Sequence, residues 1–261
     1  MARKARKISP TNYYHLMMRG SNREKIFKTD EQKIQFLELL KKFGSEEAIE
    51  VVAYCLMDNH VHLVVNGEIG DLSASMKRIS IRYAMKYNKE TDRIGNVFQD
   101  RYKSEVIADD QYLLQVVRYV HNNPVKAKMI ENTADYKWSS YNEYINGKVK
   151  LLSKKQKNFI MEFFSGDLEL FKKFHQENDL REYLDIKEEI KYSRLESAKK
   201  IILDYEITEG KAGTDSVQLT SNPEYLDGLI RKLLEETKLS HRKIAELLEI
   251  SSNRVHKASI K

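Results

Sequence analysis

One cysteine in 261 residues is too few for an internal disulfide framework. That thiol, Cys55, fits a reducing cytoplasm and packs as a small hydrophobe in a strand. No apolar run approaches twenty residues, and no leader-type apolar core follows the start. Membrane-spanning and secreted readings therefore fall away. At 261 residues and 41% apolar the chain can bury a core, and length does not choose between one large domain and two. Excess positive charge is missing from the second part. Through Lys150 there are 25 Lys+Arg against 19 Asp+Glu, while the remainder carries 20 of each. The whole net charge of +6 thus belongs to the N-terminal part. This favours a polyanionic partner there, although a basic surface also serves solubility alone.

What the chain does have is a stretch at 53–66, AYCLMDNHVHLVVN. It reads as a buried strand carrying His60 and His62 around Val61. Strand side chains alternate, so both imidazoles point one way and Val61 the other. Two imidazoles on a rigid strand make half of a divalent-metal site, or else a satisfied core pair. A second stretch at 118–126, RYVHNNPVK, tips the balance towards the metal.

Around these the elements follow in order. MARKARKIS is a basic arm, ordered by an anionic partner. Asn12 to Met18 is a first strand, whose His15 reads as structural. Arg19 to Arg23 is a turn with two guanidinium groups, suited to phosphate and equally an ordinary solvated loop. Thr29 caps a helix whose buried stripe is Ile34, Leu37, Leu40 and Phe43, ended by Gly44. Ile49 to Leu56 and His60 to Asn66 form an antiparallel hairpin. A helix from Gly70 to about Asn88 shows Leu72, Met76, Ile79 and Tyr83 on one side and Lys77, Arg78, Arg82 and Lys86 on the other. That basic face either tracks a phosphate backbone or is simply solvated. Asn96 to Ile107 is a fourth strand region in which Phe98 and Tyr102 alternate with Arg101 and Lys103, a mixture suited to single-stranded nucleic acid. Asp109 or Asp110 caps a helix stopped by Pro124. The order predicts an α+β fold, with an antiparallel sheet and helices on one side.

On that last helix Tyr119 and Asn123 are four residues apart and share a face. Two imidazoles and an amide oxygen leave positions open on Mg²⁺ or Mn²⁺ for phosphodiester oxygens. The cation would act as Lewis acid and bring the phenol close. Attack by Tyr119 would release a 3′-hydroxyl and leave a 5′-phosphotyrosine, so a second 3′-hydroxyl could rejoin ends without ATP. The ordinary phenol pKa near 10 is an obstacle that an adjacent cation removes. Tyr102, Tyr112 and Tyr141 compete as nucleophiles, but none is followed by an amide four residues later, as Tyr119 is by Asn123. His121 falls on another face and is not assigned as a ligand.

The residues Asn59-His60-Val61-His62-Leu63 resemble the histidine-hydrophobe-histidine motif of HUH nucleases. Together with Tyr119 to Lys126, they make the chain resemble single-tyrosine insertion-sequence transposases, in particular the REP-associated tyrosine transposases. Met17 to Arg23 and Phe98 to Ser104 are similar as well, and the likeness spans about residues 8–145. It implies a ferredoxin-like core and a metal-dependent single-strand endonuclease and strand transferase acting on hairpin-forming DNA ends, at the nucleoid. It also implies His60, His62 and Asn123 as ligands of Mg²⁺ or Mn²⁺ and Tyr119 as nucleophile. Some relatives carry Gln as third ligand, so Asn123 shortens the reach by one methylene. Arg19, Arg23, Lys77, Arg78, Arg82, Arg101, Lys103 and Lys126 are the expected DNA contacts, with Arg254 in the tail. A monomer or a homodimer fits equally.

The expected division is a catalytic domain over 1–147, a helical spacer over 148–220 and a helix-turn-helix over 221–261. Glu209 to Pro223 reads as a flexible linker. In the tail, Ala245 permits a close helix crossing, Ile250 plugs the turn and Val255 anchors the last helix. Glu249 stands where such turns usually carry Gly, so a left-handed residue there is mildly strained. From Arg231 onward eight basic residues face four acidic ones, consistent with DNA. The alternative function is a non-catalytic DNA-binding regulator that keeps the fold. A zinc hydrolase lacks a third His, Cys or Glu at the usual spacing.

Overall fold

The computed structural model describes residues 6–147, 150–177, 181, 183–208 and 223–260. Most of the expected basic arm and of the 209–223 linker lies outside the described residues. The chain divides into two compact units, Met1–Leu184 and Asp185–Lys261.

In the first unit β1 (Tyr13–Arg19), α1 (Asp30–Glu46), β2 (Glu50–Leu56), β3 (His60–Asn66), α2 (Ile69–Glu90) and β4 (Lys103–Ile107) follow in order. The sheet runs β2-β3-β1-β4 with every pair antiparallel. This is the βαββαβ order of the expected ferredoxin-like core. Register sets the faces: His60 pairs with Arg19, His62 with Met17, Val64 with His15, and His15 with Glu105.

The expectation of helices on one side needs correcting. The middle strand β1 is buried on both faces, from Tyr14 to Met18. α1 and α2 pack on each other through Phe27, Phe36 and Tyr83, whose rings meet edge to face at 5.4–5.5 Å. α3 (Asp110–Lys126) instead lies over the histidine face, where Tyr119 meets His15 and His62. The sheet is therefore sandwiched. A helix following the last strand supplies the layer that covers otherwise wet imidazoles.

Local chemistry explains the helix starts. Thr29 Oγ1 accepts from Gln32 N, and Asp109 accepts from Tyr112 N, each satisfying an orphan amide. The buried side of α1 is Phe36, Leu40 and Phe43 with Gln32 and Lys33, whereas Ile34 is exposed. Lys33 is drawn inward because its ammonium reaches Asp58 at 3.0 Å. α1 runs on two residues past Gly44. Pro124 does not stop α3, which continues to Lys126. Of the 96–107 stretch only Lys103–Ile107 is strand, with a single bridge from Phe98 to Gly20.

The boundary falls at Leu184 rather than Gly147 because aromatic packing carries the unit onward. α4 (Tyr141–Ile145), α5 (Lys154–Glu162) and α6 (Leu168–Gln176) follow. Phe171 stacks on Tyr144 at 5.1 Å and on Tyr141 at 5.9 Å. Arg118 of α3 bonds to Glu177 and the Phe174 carbonyl. Residues 138–140 bond to the β2 edge: Leu56 N donates to Trp138 O and Ser140 N to Tyr54 O. Cys55 is buried in β2 as expected.

In the second unit α7 (Leu184–Thr208), α8 (Pro223–Thr237), α9 (His241–Leu247) and α10 (Ser252–Ile260) share a core. It contains Ala198, Leu229, Leu233, Ile244, Ala245 and Val255. Glu249 adopts φ +54°, and Ile250 N donates to Ala245 O at 3.0 Å. Among the described residues no helix is long and apolar enough to cross a membrane.

Candidate active site

β3 delivers His60 and His62 to one face, and their rings meet edge to face at 4.9 Å. α3 lays Tyr119 against that pair. Its ring is edge-on to His62 at 5.7 Å and to His15 at 5.9 Å. One turn later Asn123, also buried, donates from Nδ2 to Tyr119 O at 3.4 Å. Its side chain touches the His60 imidazole and favours the charged form. The four expected site residues thus converge from a strand and a helix.

The two imidazoles are held neutral. Burial, with Arg19 adding to it, pushes His60 down to about 4. His62 is driven well below its usual value by burial first, then by His60, His15 and Arg19. Desolvation disfavours a charged imidazole, and a neutral imidazole is the form that binds metal. His60 Nδ1 lies 2.6 Å from Asn59 Oδ1. Its Nε2 is buried and makes no well-formed hydrogen bond among the described residues. His62 Nδ1 lies 3.0 Å from His15 Nε2. No cluster of three His, Cys, Asp or Glu side chains suits a metal among the described residues. The donor set at hand is two imidazoles and one amide.

Tyr119 is only 2% exposed. Tyr183 stacks on its ring at 3.9 Å, and the Lys126 ammonium stands 4.5 Å above it.

Of the expected DNA contacts, Arg19 lies beside the site through its pairing with His60, and Lys126 reaches Tyr119. Arg23 follows Asn22 in a tight loop, both with positive φ (+61° and +52°). That loop needs Gly20, where a Cβ would sit 2.2 Å from Glu24 O. Lys77 and Arg82 are exposed on α2. Arg101 and Lys103 line a cleft of about 530 Å³ with Arg6, Lys7 and Tyr102. Arg78 pairs with Glu46 and Glu47, and Arg254 pairs with Asp227 in the second unit. His121 is buried, between His175 and Ser140. Sequence reasoning gave Asn59 no role beyond its place in the histidine motif, missed Tyr183 and left His15 as structural. The one signal for His15 was its place two residues into the strand that pairs with β3.

Residues 9–123 match the family model described as "Transposase IS200 like". A protein named as a REP-associated tyrosine transposase from Haemophilus influenzae is 24% identical over 126 residues, covering 44% of this chain and 72% of that one. A solved structure described as a REP-associated tyrosine transposase bound to a REP hairpin aligns with a TM-score of 0.50 at 15% identity. That alignment covers 70% of this chain and 95% of the other. A transposase structure from Deinococcus radiodurans gives 0.33 at 19% identity, covering 47% and 95%, too low a score to bear on the fold.

Proposed function

We infer, with residues 9–123 as an IS200-like transposase unit for premise, that this protein cleaves and rejoins single-stranded DNA at hairpin-forming ends. The observation that carries this reading is the Tyr119 ring edge-on to His62 at 5.7 Å, with Asn123 beside His60. The Tyr119 oxygen attacks the phosphorus and loses its proton. The P–O3′ bond breaks, the departing 3′-oxygen takes a proton, and the 5′-phosphate stays on the tyrosine. His60, His62 and Asn123 would hold Mg²⁺ or Mn²⁺, which when bound supplies Lewis-acid polarisation of the phosphodiester and eases phenol ionisation. Two neutral imidazoles and an amide oxygen suit such an ion, and the buried Nε2 of His60 is a ready donor atom.

Arg19 beside the site and Arg23 in the loop tied to Asn59 suit the phosphates flanking the scissile bond, and the Arg101–Lys103 cleft a further length of backbone. Lys77 and Arg82 add an exposed cationic face on α2. Arg78 and Arg254 would have to exchange carboxylate partners for phosphate. α9 and α10 are read as a helix-turn-helix that adds DNA affinity. The hairpin seen with the structural relative is the substrate class assigned to this chain. Either a monomer or a homodimer can present this site.

The test is incubation of the purified protein with a labelled hairpin-ended single strand and Mn²⁺. An SDS-resistant adduct that maps to Tyr119 and disappears with EDTA is expected. Tight hairpin binding without an adduct under any divalent metal would return the non-catalytic regulator.

The covered nucleophile yields a second expectation. Tyr183 must leave the Tyr119 ring before a phosphate can reach it, and re-exposing a tyrosine ring costs roughly 2 kcal/mol. Tyr183→Ala should therefore raise the adduct rate on short oligonucleotides, by up to about 30-fold. A fall in rate would make Tyr183 a platform for substrate instead.

A further inference from the structure

We propose that Asn59 and His15 are positioning residues that fix the tautomers of His60 and His62, so that both present Nε2 lone pairs to the cation. This rests on the metal-site reading above.

For His60 the hydrogen-bond directions are forced. Asn59 Nδ2 lies 3.3 Å from the Arg23 carbonyl oxygen, which can only accept. The amide carbonyl of Asn59 therefore faces His60, and Nδ1 at 2.6 Å must donate to it. An imidazole protonated at Nδ1 carries its lone pair at Nε2. The same residue fastens the basic loop, since Gly20 N donates to Asn59 O at 2.9 Å. Asn59 thereby ties the loop bearing Arg23 to the donor state of His60.

For His62 the order comes from the far side of β1. Glu105 Oε2 stands 4.0 Å from His15 Nδ1, brought there by the β1–β4 register. A carboxylate on that side favours the proton at Nδ1 of His15 and leaves Nε2 as an acceptor. His15 Nε2, 3.0 Å from His62 Nδ1, then accepts from His62, whose lone pair is likewise at Nε2. The result is a carboxylate–imidazole–imidazole line across three strands, ending on the ring that meets His60 at 4.9 Å.

Two measurements test this. Long-range ¹H–¹⁵N correlation spectra of the metal-free wild-type protein should show His60 and His62 protonated at Nδ1. An Nε2–H form of either would overturn the proposal for that residue without any mutation. Titration with Mn²⁺ alone, followed by calorimetry or by loss of the free-ion electron spin resonance signal, should show about 10- to 100-fold weaker binding for Asn59→Ala and His15→Ala. Asn59→Asp and His15→Gln keep an acceptor and should recover most of the affinity. Equal weakening by the conservative variants, or unchanged binding in the alanine variants, would overturn it. Absence of Mn²⁺ binding by the wild-type protein would instead end the metal-site reading itself.

Discussion

Tyr119→Phe is expected to take the covalent DNA adduct to the detection floor, a loss on the order of 10⁴-fold or more, with the fold intact. The substitution keeps the ring, so the stack on Tyr183, the edge contact with His62 and the Lys126 contact all remain available. Only the hydroxyl goes, worth about 1 kcal/mol of stability. Urea midpoints and hairpin affinity should therefore stay near wild type while the chemistry stops. That combination separates a missing nucleophile from a damaged site. Persistence of the adduct would move the nucleophile elsewhere, and the structure ranks the competitors poorly. Tyr102 is buried with its hydroxyl on Ser73. Tyr141 lies in the aromatic cluster with Phe171 and His175. Tyr112 stacks on the far partner Tyr183 at 6.4 Å.

The parts of this site that were legible in the sequence are those fixed by local periodicity. The two-residue repeat of a strand put His60 and His62 on one face, and the four-residue step of a helix put Asn123 above Tyr119. Both statements need only neighbours along the chain. What could not be read depends on which strands pair and in what register. His15 meets His62 across 47 residues of chain, through a ladder in which Met17 rather than His15 stands opposite His62. Asn59 stood only at the head of the histidine motif, and its role comes from where the loop at Arg23 folds back.

The fold shows the same division. The succession of strands and helices along the chain followed from hydrophobic pattern, but coverage of the sheet did not. α3 was assigned to the same side as its predecessors because nothing in its own sequence names the face it covers. Ile34 was placed inward on periodicity alone, whereas the Lys33–Asp58 ion pair and Phe36 set the actual rotation of α1. Phe171, Tyr141 and Tyr144 were separated by an expected boundary at Gly147. Their stacking only becomes visible once α6 returns to α3, and it moves the end of the unit to Leu184.

Acid should unfold the first unit well before it exhausts ordinary carboxylates, because the imidazoles buried there are held neutral. His175 Nδ1 faces the Phe171 carbonyl at 2.9 Å and must donate to it, so its Nε2 accepts from His121 Nδ1 at 2.9 Å. His121 Nε2 then accepts from Ser140 Oγ at 2.8 Å. Each ring proton in this chain has one place, and an added proton on His175 Nε2 would confront the N–H of His121. Burial accordingly pushes His175 down to about 4 and His121 well below its usual value. In the unfolded chain both titrate near 6.5. As pH falls through 6.5 the unfolded state takes up protons that the folded state refuses, so stability is complete above about 7 and drains away between 6.5 and 4. For His175 this amounts to roughly 2 kcal/mol by pH 5, and His60, also near 4, contributes about as much. Together, at roughly 4 kcal/mol, they approach the lower end of an ordinary domain's stability. Urea denaturation at pH 7.5 and pH 5 should show a large fall in midpoint, with His175→Gln flattening the slope by about one proton. Mn²⁺ should restore only the share that belongs to His60 and His62, since it competes with protons there and nowhere near His121. A midpoint unchanged between the two pH values would mean that these imidazoles are not kept neutral, and the closed hydrogen-bond chain holding α3 against the sheet would have to be abandoned.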